Sequence, residues 1–215
     1  MTGEGSALQR SWRRAWSAVV ADRQNEALAQ RLLACYREPQ RRYHTLQHLA
    51  ECIDRFEPVQ DLASSCGEVE LALWFHDAVY DVRGHDNEAR SAAWARDELL
   101  DAEAAPAVAA RVHALVMATR HAALPEPGDA MLVVDIDLSI LGASPDRFDE
   151  YERQIREEYA WVEEEAFRGK RHSVLTGFLA RPTIFGTAHF HGTLEAAARA
   201  NLRRSLLRLE DRARP

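Results

Sequence analysis

Helical periodicity constrains this chain more than any other feature. Segments rich in Ala, Leu, Arg and Glu recur along it, with apolar residues stepping by three and four. The spacing predicts a helix over Ser6 to Val20, with Leu8, Trp12, Ala15, Trp16 and Val19 on one face. A second covers Asn25 to Tyr36 and is stopped by Pro39, and a third runs from His44 to Phe56 ahead of Pro58. A fourth, Cys66 to Tyr80, is apolar through Leu71, Leu73, Trp74 and Phe75, which makes it central. Gly84 breaks the chain before helices over Asn87 to Leu100 and Ala105 to Thr119. Leu124 to Asp129 is a loop by its proline and glycine. Ala130 to Leu141 reads equally as strand or buried helix. Further helices are expected over Asp146 to Arg168, Ser173 to Ala180 and Thr193 to Arg212. With no repeat and no shift in composition, the expectation is one all-α helical bundle over residues 1–215. Trp12, Trp16, Trp74, Trp94 and Trp161 fall at helical spacings and are expected in helix–helix contacts.

Composition removes several classes of function. The chain has 215 residues, 47% of them hydrophobic and 28% charged, enough for a real core without disulfides. A net charge of −7 disfavours a nucleic-acid polymer as partner. No apolar run reaches 18 residues, and Met1 to Gln9 lacks the pattern of a secretory signal. A cytoplasmic protein is therefore expected, with no membrane partner. Cys35, Cys52 and Cys66 form no CxxC pair and read as reduced packing residues. Lys170 is the only lysine, a bias that points to no mechanism.

Polar residues interrupt the apolar pattern at a few places. His44 and His48 lie four apart, on one face if both are helical. His76 and Asp77 stand in an otherwise apolar helix, and Asp135 and Asp137 within the apolar run 130–141. Burying an ionised carboxylate without a partner costs on the order of several kcal/mol, a penalty that a cation removes. Each position also has a plainer reading: a satisfied core histidine, an aspartate paired with arginine, a helix cap. Gly84 to Glu88 reads as a loop entering a helix, where Asp86 or Asn87 caps, or as a polar rim joined by Arg120 and His121.

The stretches YHTLQHL, FHDAVYD, DNEARSA and DIDLSILG, in that order, resemble the HD superfamily of metal-dependent phosphohydrolases, in particular a bacterial branch without an assigned substrate. The resemblance spans roughly residues 41–142 and continues more loosely through YERQIREEY and the C-terminal helices. It implies a helical bundle of HD type, with a metal-site core at about 41–142 and helices over 146–212 packed on it. It also implies a metal held by His44, His76, Asp77 and Asp135. His48 in place of His44, and Asp137 in place of Asp135, stay open.

Two imidazoles and two carboxylates offset a divalent charge without choosing among Mn, Fe, Co, Ni, Zn and Mg. The implied reaction is attack of metal-activated water on a phosphate ester or anhydride, with nucleotides among the candidate substrates. Asp81, one helical turn after Asp77, is the candidate acid or base, and His48 the candidate donor to the substrate. Glu88 and Asp86 are supporting candidates. Arg41, Arg42, Arg83 and Arg120, with His121, are available to hold phosphate. The expected partner is a small phosphorylated substrate, and a homodimer stays open.

Three rivals accompany this reading. Leu132 to Asp137 also looks like the strand and D-x-D nucleophile of haloacid-dehalogenase-type phosphatases, although Lys170 is the only lysine available to it. A metal-containing helical module that binds a nucleotide or protein without turnover would carry the same ligands. An HD-type di-iron oxygenase would need more histidines, for which His48, His85, His113 and His121 are available.

Overall fold

The computed structural model describes residues 3–20, 24–121 and 125–211. All regular structure among them is helical. Ten α-helices follow one another: α1 (Gly3–Val19), α2 (Glu26–Cys35), α3 (Leu46–Phe56), α4 (Cys66–Phe75), α5 (Asn87–Asp101), α6 (Pro106–Ala118), α7 (Asp129–Asp137), α8 (Pro145–Glu158), α9 (Glu164–Ala180) and α10 (Ala188–Asp211). Short 3-10 segments lie at Glu57–Leu62 and Leu138–Gly142. None of these helices is long and apolar enough to cross a membrane. The chain divides into two compact units, Met1–Asp137 and Leu138–Pro215.

In the first unit α4 is the axis. Every residue from Gly67 to Phe75 is buried, and α1, α3, α5, α6 and α7 all pack on it. A helix covered on all sides cannot be amphipathic, which is why its sequence reads as one apolar block. Its two buried acids are both answered. Glu70 accepts from Ser11 Oγ at 2.6 Å and pairs with Arg14, both on α1, while Arg111 of α6 grips Glu68 through Nε and a terminal nitrogen at 2.8 and 2.6 Å. Gly67 lets α1 approach closely, since a Cβ there would lie 2.6 Å from Ala18 Cβ. Trp12 stacks on Trp16 and meets Trp74 edge-on, as the helical spacing predicts. Trp161 does not join a core, being half exposed.

The run 130–141 resolves as helix α7 followed by a 3-10 turn. The strand required by the haloacid-dehalogenase reading is therefore not formed.

In the second unit α10 packs on α9 and on the 138–142 turn. Asn201 donates to the carbonyls of Leu141 and Ala143, both at 2.9 Å. The helix expected over Asp146 to Arg168 is interrupted, because α8 ends at Glu158 and α9 begins at Glu164. Arg156 holds the interruption by donating to the carbonyls of Tyr159 and Val162. α10 begins at Ala188, ahead of the expected Thr193, so His189 and His191 are helical. Gly142 sits against Leu194, where an added Cβ would meet Leu194 Cβ at 2.7 Å and its carbonyl oxygen at 3.0 Å. Gly142→Ala is expected to lower stability by about 1–3 kcal/mol, the cost of overpacking a rigid contact. A thermal melt indistinguishable from wild type would show that this contact yields freely.

Candidate metal centre

The His-Asp pair stands where α4 stops. His76 still donates its backbone N–H to Ala72, but the chain then leaves the helix. Arg41 explains the turn. Its buried guanidinium donates to the carbonyls of Asp77 at 2.6 Å, Ala78 at 3.0 Å and His44 at 3.2 Å. Its Nε bonds Glu38 at 3.0 Å, and its guanidinium carbon lies 5.3 Å from the Tyr36 ring centroid and 5.4 Å from that of Tyr80. Arg41, expected among the phosphate-holding arginines, is thus committed to fastening the segment before α3 to the segment after α4.

Thr45 caps α3 by accepting the N–H of Gln47. His44 therefore precedes the helix, while His48 and Cys52 lie one turn apart on its buried face. His44 stacks on Tyr80, with centroids 4.2 Å apart, and is among the groups that hold the Asp77 carboxyl below its ordinary range.

Five polar side chains from three stretches of chain converge. His48 Nε2 lies 3.0 Å from His76 Nε2, 3.4 Å from Asp77 Oδ2 and 3.3 Å from Asp137 Oδ1. His76 Nε2 lies 3.1 Å from Asp77 Oδ2 and 3.7 Å from Asp137 Oδ1. Cys52 Sγ is 3.8 Å from both ring nitrogens of His48. One donor atom each from His48, Cys52, His76 and Asp137 lies within 4.8 Å of the others, a group able to hold a metal ion.

These spacings suit a shared ion. With bonds of about 2.1 Å, neighbouring donors stand about 3.0 Å apart in an octahedron and about 3.4 Å apart in a tetrahedron. Proton positions agree. His76 Nδ1 lies 2.8 Å from the carbonyl of Leu73, an acceptor only, so Nδ1 carries the hydrogen and Nε2 of the neutral ring presents a lone pair. A bare imidazole nitrogen facing carboxylate oxygens is repulsive until positive charge lies between them. The cluster favours such charge. Burial disfavours the His48 cation, but Cys52, Tyr43, Asp137 and Asp77 outweigh it and hold that imidazole well above its ordinary range. Burial likewise opposes the His76 cation and is outweighed, first by Asp77, so its pKa is raised. Burial would raise the pKa of both carboxyl groups, yet neighbouring histidines hold Asp77 and Asp137 below the usual carboxylate range.

His121 completes the arrangement. Its Nε2 lies 3.0 Å from Asp137 Oδ2, the oxygen not turned toward His48. It adopts φ +53°, a left-handed conformation that costs a non-glycine residue on the order of 1 kcal/mol. Expected to face an anionic substrate, it faces this carboxylate.

The structure thus gathers His76 and Asp77 with His48 and Asp137, the two positions the sequence held open as alternatives. Asp135 is buried on α7, two residues before the clustered carboxylate, and is not a member of the group. Asp81 is exposed and accepts the N–H of Arg83 at 2.9 Å, closing a turn. Asp86 occupies the N-cap position of α5 without capping through its side chain, and Glu88 lies in that helix's first turn. Arg42, Arg83 and Arg120 are exposed. Among the described residues one such cluster forms, and His85 and His113 are not part of it. Sequence reasoning missed Cys52, although its spacing from His48 is the same as that of His48 from His44. No family model, curated protein or solved structure matches the chain.

Proposed function

We propose that the protein is a metal-dependent phosphohydrolase of HD type, acting on a small phosphorylated substrate. The observation that carries this reading is the convergence of His48, His76, Asp77 and Asp137, with the His76–Asp77 pair at its centre. The ordered sequence motifs that resemble the HD superfamily support it. A divalent ion held there supplies a Lewis acid for a phosphoryl oxygen and lowers the pKa of water enough for attack near neutral pH.

The chain's own residues prepare that site. Leu73 fixes the His76 tautomer, Arg41 fixes the backbone that carries Asp77, and His121 orients Asp137. His48, with Nε2 turned into the cluster, fits a ligand better than a donor to substrate. Arg83 and Arg120 are exposed, and a guanidinium suits bidentate contact with phosphate. Asp81 serves as proton acceptor or donor once substrate draws it from its turn with Arg83.

A second reading, a metal-stabilised module without turnover, is favoured by the near-complete burial of both imidazoles, which are 2% and 1% exposed. Phosphate release from nucleotides and phosphosugars, measured with each candidate metal, separates the two. Turnover with at least one metal, lost in His76→Ala, is the expected result. A protein that binds metal tightly yet releases no phosphate from any substrate would leave the second reading standing.

A further inference from the structure

We propose that His44 binds the phosphoryl group of the substrate at the mouth of the metal centre, its imidazole N–H donating to an oxygen that the ion does not hold. The inference rests on the function proposed above and gives His44 the donor role that the sequence assigned to His48.

The exchange of roles follows from where α3 starts. Thr45 caps the helix, so His48 turns its Nε2 into the cluster while His44 stands just ahead of the first turn, half-buried. The His44 ring meets that of His48 edge-on, with centroids 5.9 Å apart, yet it contributes no atom to the group of converging donors. Asp77 is one of the two cluster residues that reach solvent, and His44 is tied to it. The Arg41 guanidinium holds the carbonyl of His44 at 3.2 Å and that of Asp77 at 2.6 Å. His44 therefore sits at an accessible edge of the cluster without belonging to it.

Distance and rigidity suit a phosphoryl contact. A phosphoryl oxygen bound to an ion at about 2.1 Å leaves the other oxygens roughly 4 Å from that ion, and a donor to one of them stands about 5–7 Å away. A side chain that touches bound substrate without touching the ion thus belongs just outside the ligands, where His44 is. Its ring is also held in place, stacked on Tyr80 with centroids 4.2 Å apart and edge-on to Tyr43 at 4.9 Å. Little rotamer freedom is left to lose when it donates. Imidazole carries an N–H whether neutral or protonated, so the contact does not depend on its charge.

The test uses the full chain loaded with manganese(II) or cobalt(II), with inorganic phosphate as the probe. Both ions are paramagnetic and broaden the phosphorus resonance of a phosphate held beside them, so a phosphorus NMR titration reads phosphate affinity at the centre. Metal content is measured on the same samples. His44→Phe keeps an aromatic ring against Tyr80 but has no N–H. It is expected to hold metal as the wild-type chain does and to lose phosphate affinity by about tenfold or more. His44→Ala, without the ring, should lose as much, and His44→Gln, which restores an N–H donor, should recover part. Undiminished phosphate affinity in the Phe and Ala variants would overturn the inference, leave the phosphohydrolase reading intact and reduce His44 to packing. Loss of metal from either variant while it stays folded would overturn it by making His44 a ligand. A wild-type chain that broadens no phosphate with either ion would remove the phosphohydrolase reading and this inference with it.

Discussion

Asp137→Asn is expected to lower divalent-metal affinity by about 100-fold or more and to abolish any phosphatase turnover. The amide keeps the shape of the side chain and its contact with His121, but removes one of two anionic donors facing His48 and His76. Even residues that merely orient a ligand change metal affinity by about 10–100-fold, so a ligand should exceed that range. The informative comparison is with Asp135→Asn. Asp135 is more deeply buried and only two residues away, so the amide there is expected to cost stability while leaving metal stoichiometry near one. His48→Ala and His44→Ala form a parallel pair, with the larger loss expected at His48. Titration with zinc or cobalt, monitored by calorimetry or absorbance, reads all four variants. Loss of metal in the Asp135 and His44 variants, with retention in their neighbours, would place the centre elsewhere than the geometry does.

Arg41→Ala is expected to be the most destabilising single change outside the centre, by about 3 kcal/mol or more. The guanidinium is buried, and its removal leaves the carbonyls of His44, Asp77 and Ala78 without this donor. It also removes the cation–π contacts with Tyr36 and Tyr80. For a chain of this size a loss of that order lowers the melting temperature by about 6–12 °C. Because the same bonds hold the backbone of Asp77, metal affinity should fall with stability. Arg41→Lys keeps the charge, but its single ammonium cannot span three carbonyls, so it should recover only part of the loss. A melting temperature for Arg41→Ala within a degree or two of wild type would mean that these carbonyls find other donors and that Arg41 is not the clamp described.

The helical nature of the chain is written in its three- and four-residue spacing, and α1, α2, α5 and α6 form close to where that spacing puts them. The end of α4 is not legible in the same way. Periodicity carries the helix to Tyr80, but α4 ends at Phe75, where the Leu73 carbonyl faces His76 Nδ1 and a tertiary donor, Arg41, holds the carbonyls of Asp77 and Ala78 beyond it. A local pattern carries no record of a partner 36 residues away. The choice between Asp135 and Asp137 was equally hidden. On a helix residues two apart point about 200° away from each other, and α7 is apolar on every side, so its sequence prefers neither face. His44 against His48 was closer to readable. Thr45 is a good N-cap residue, and a helix starting at Leu46 takes His44 off the face shared by His48 and Cys52. The break between α8 and α9 is held by Arg156 through backbone carbonyls, and helix-forming residues on either side mask it.

The two carboxylates of the cluster are 17% and 15% exposed while the imidazoles behind them are almost wholly covered. An ion reaching the cluster would therefore meet oxygen before nitrogen. Entry would then be a relay, in which hard acidic oxygens replace part of the hydration shell before the imidazoles deeper in take over. Discrimination among metals would reside in how slowly each departs and not in how fast it comes.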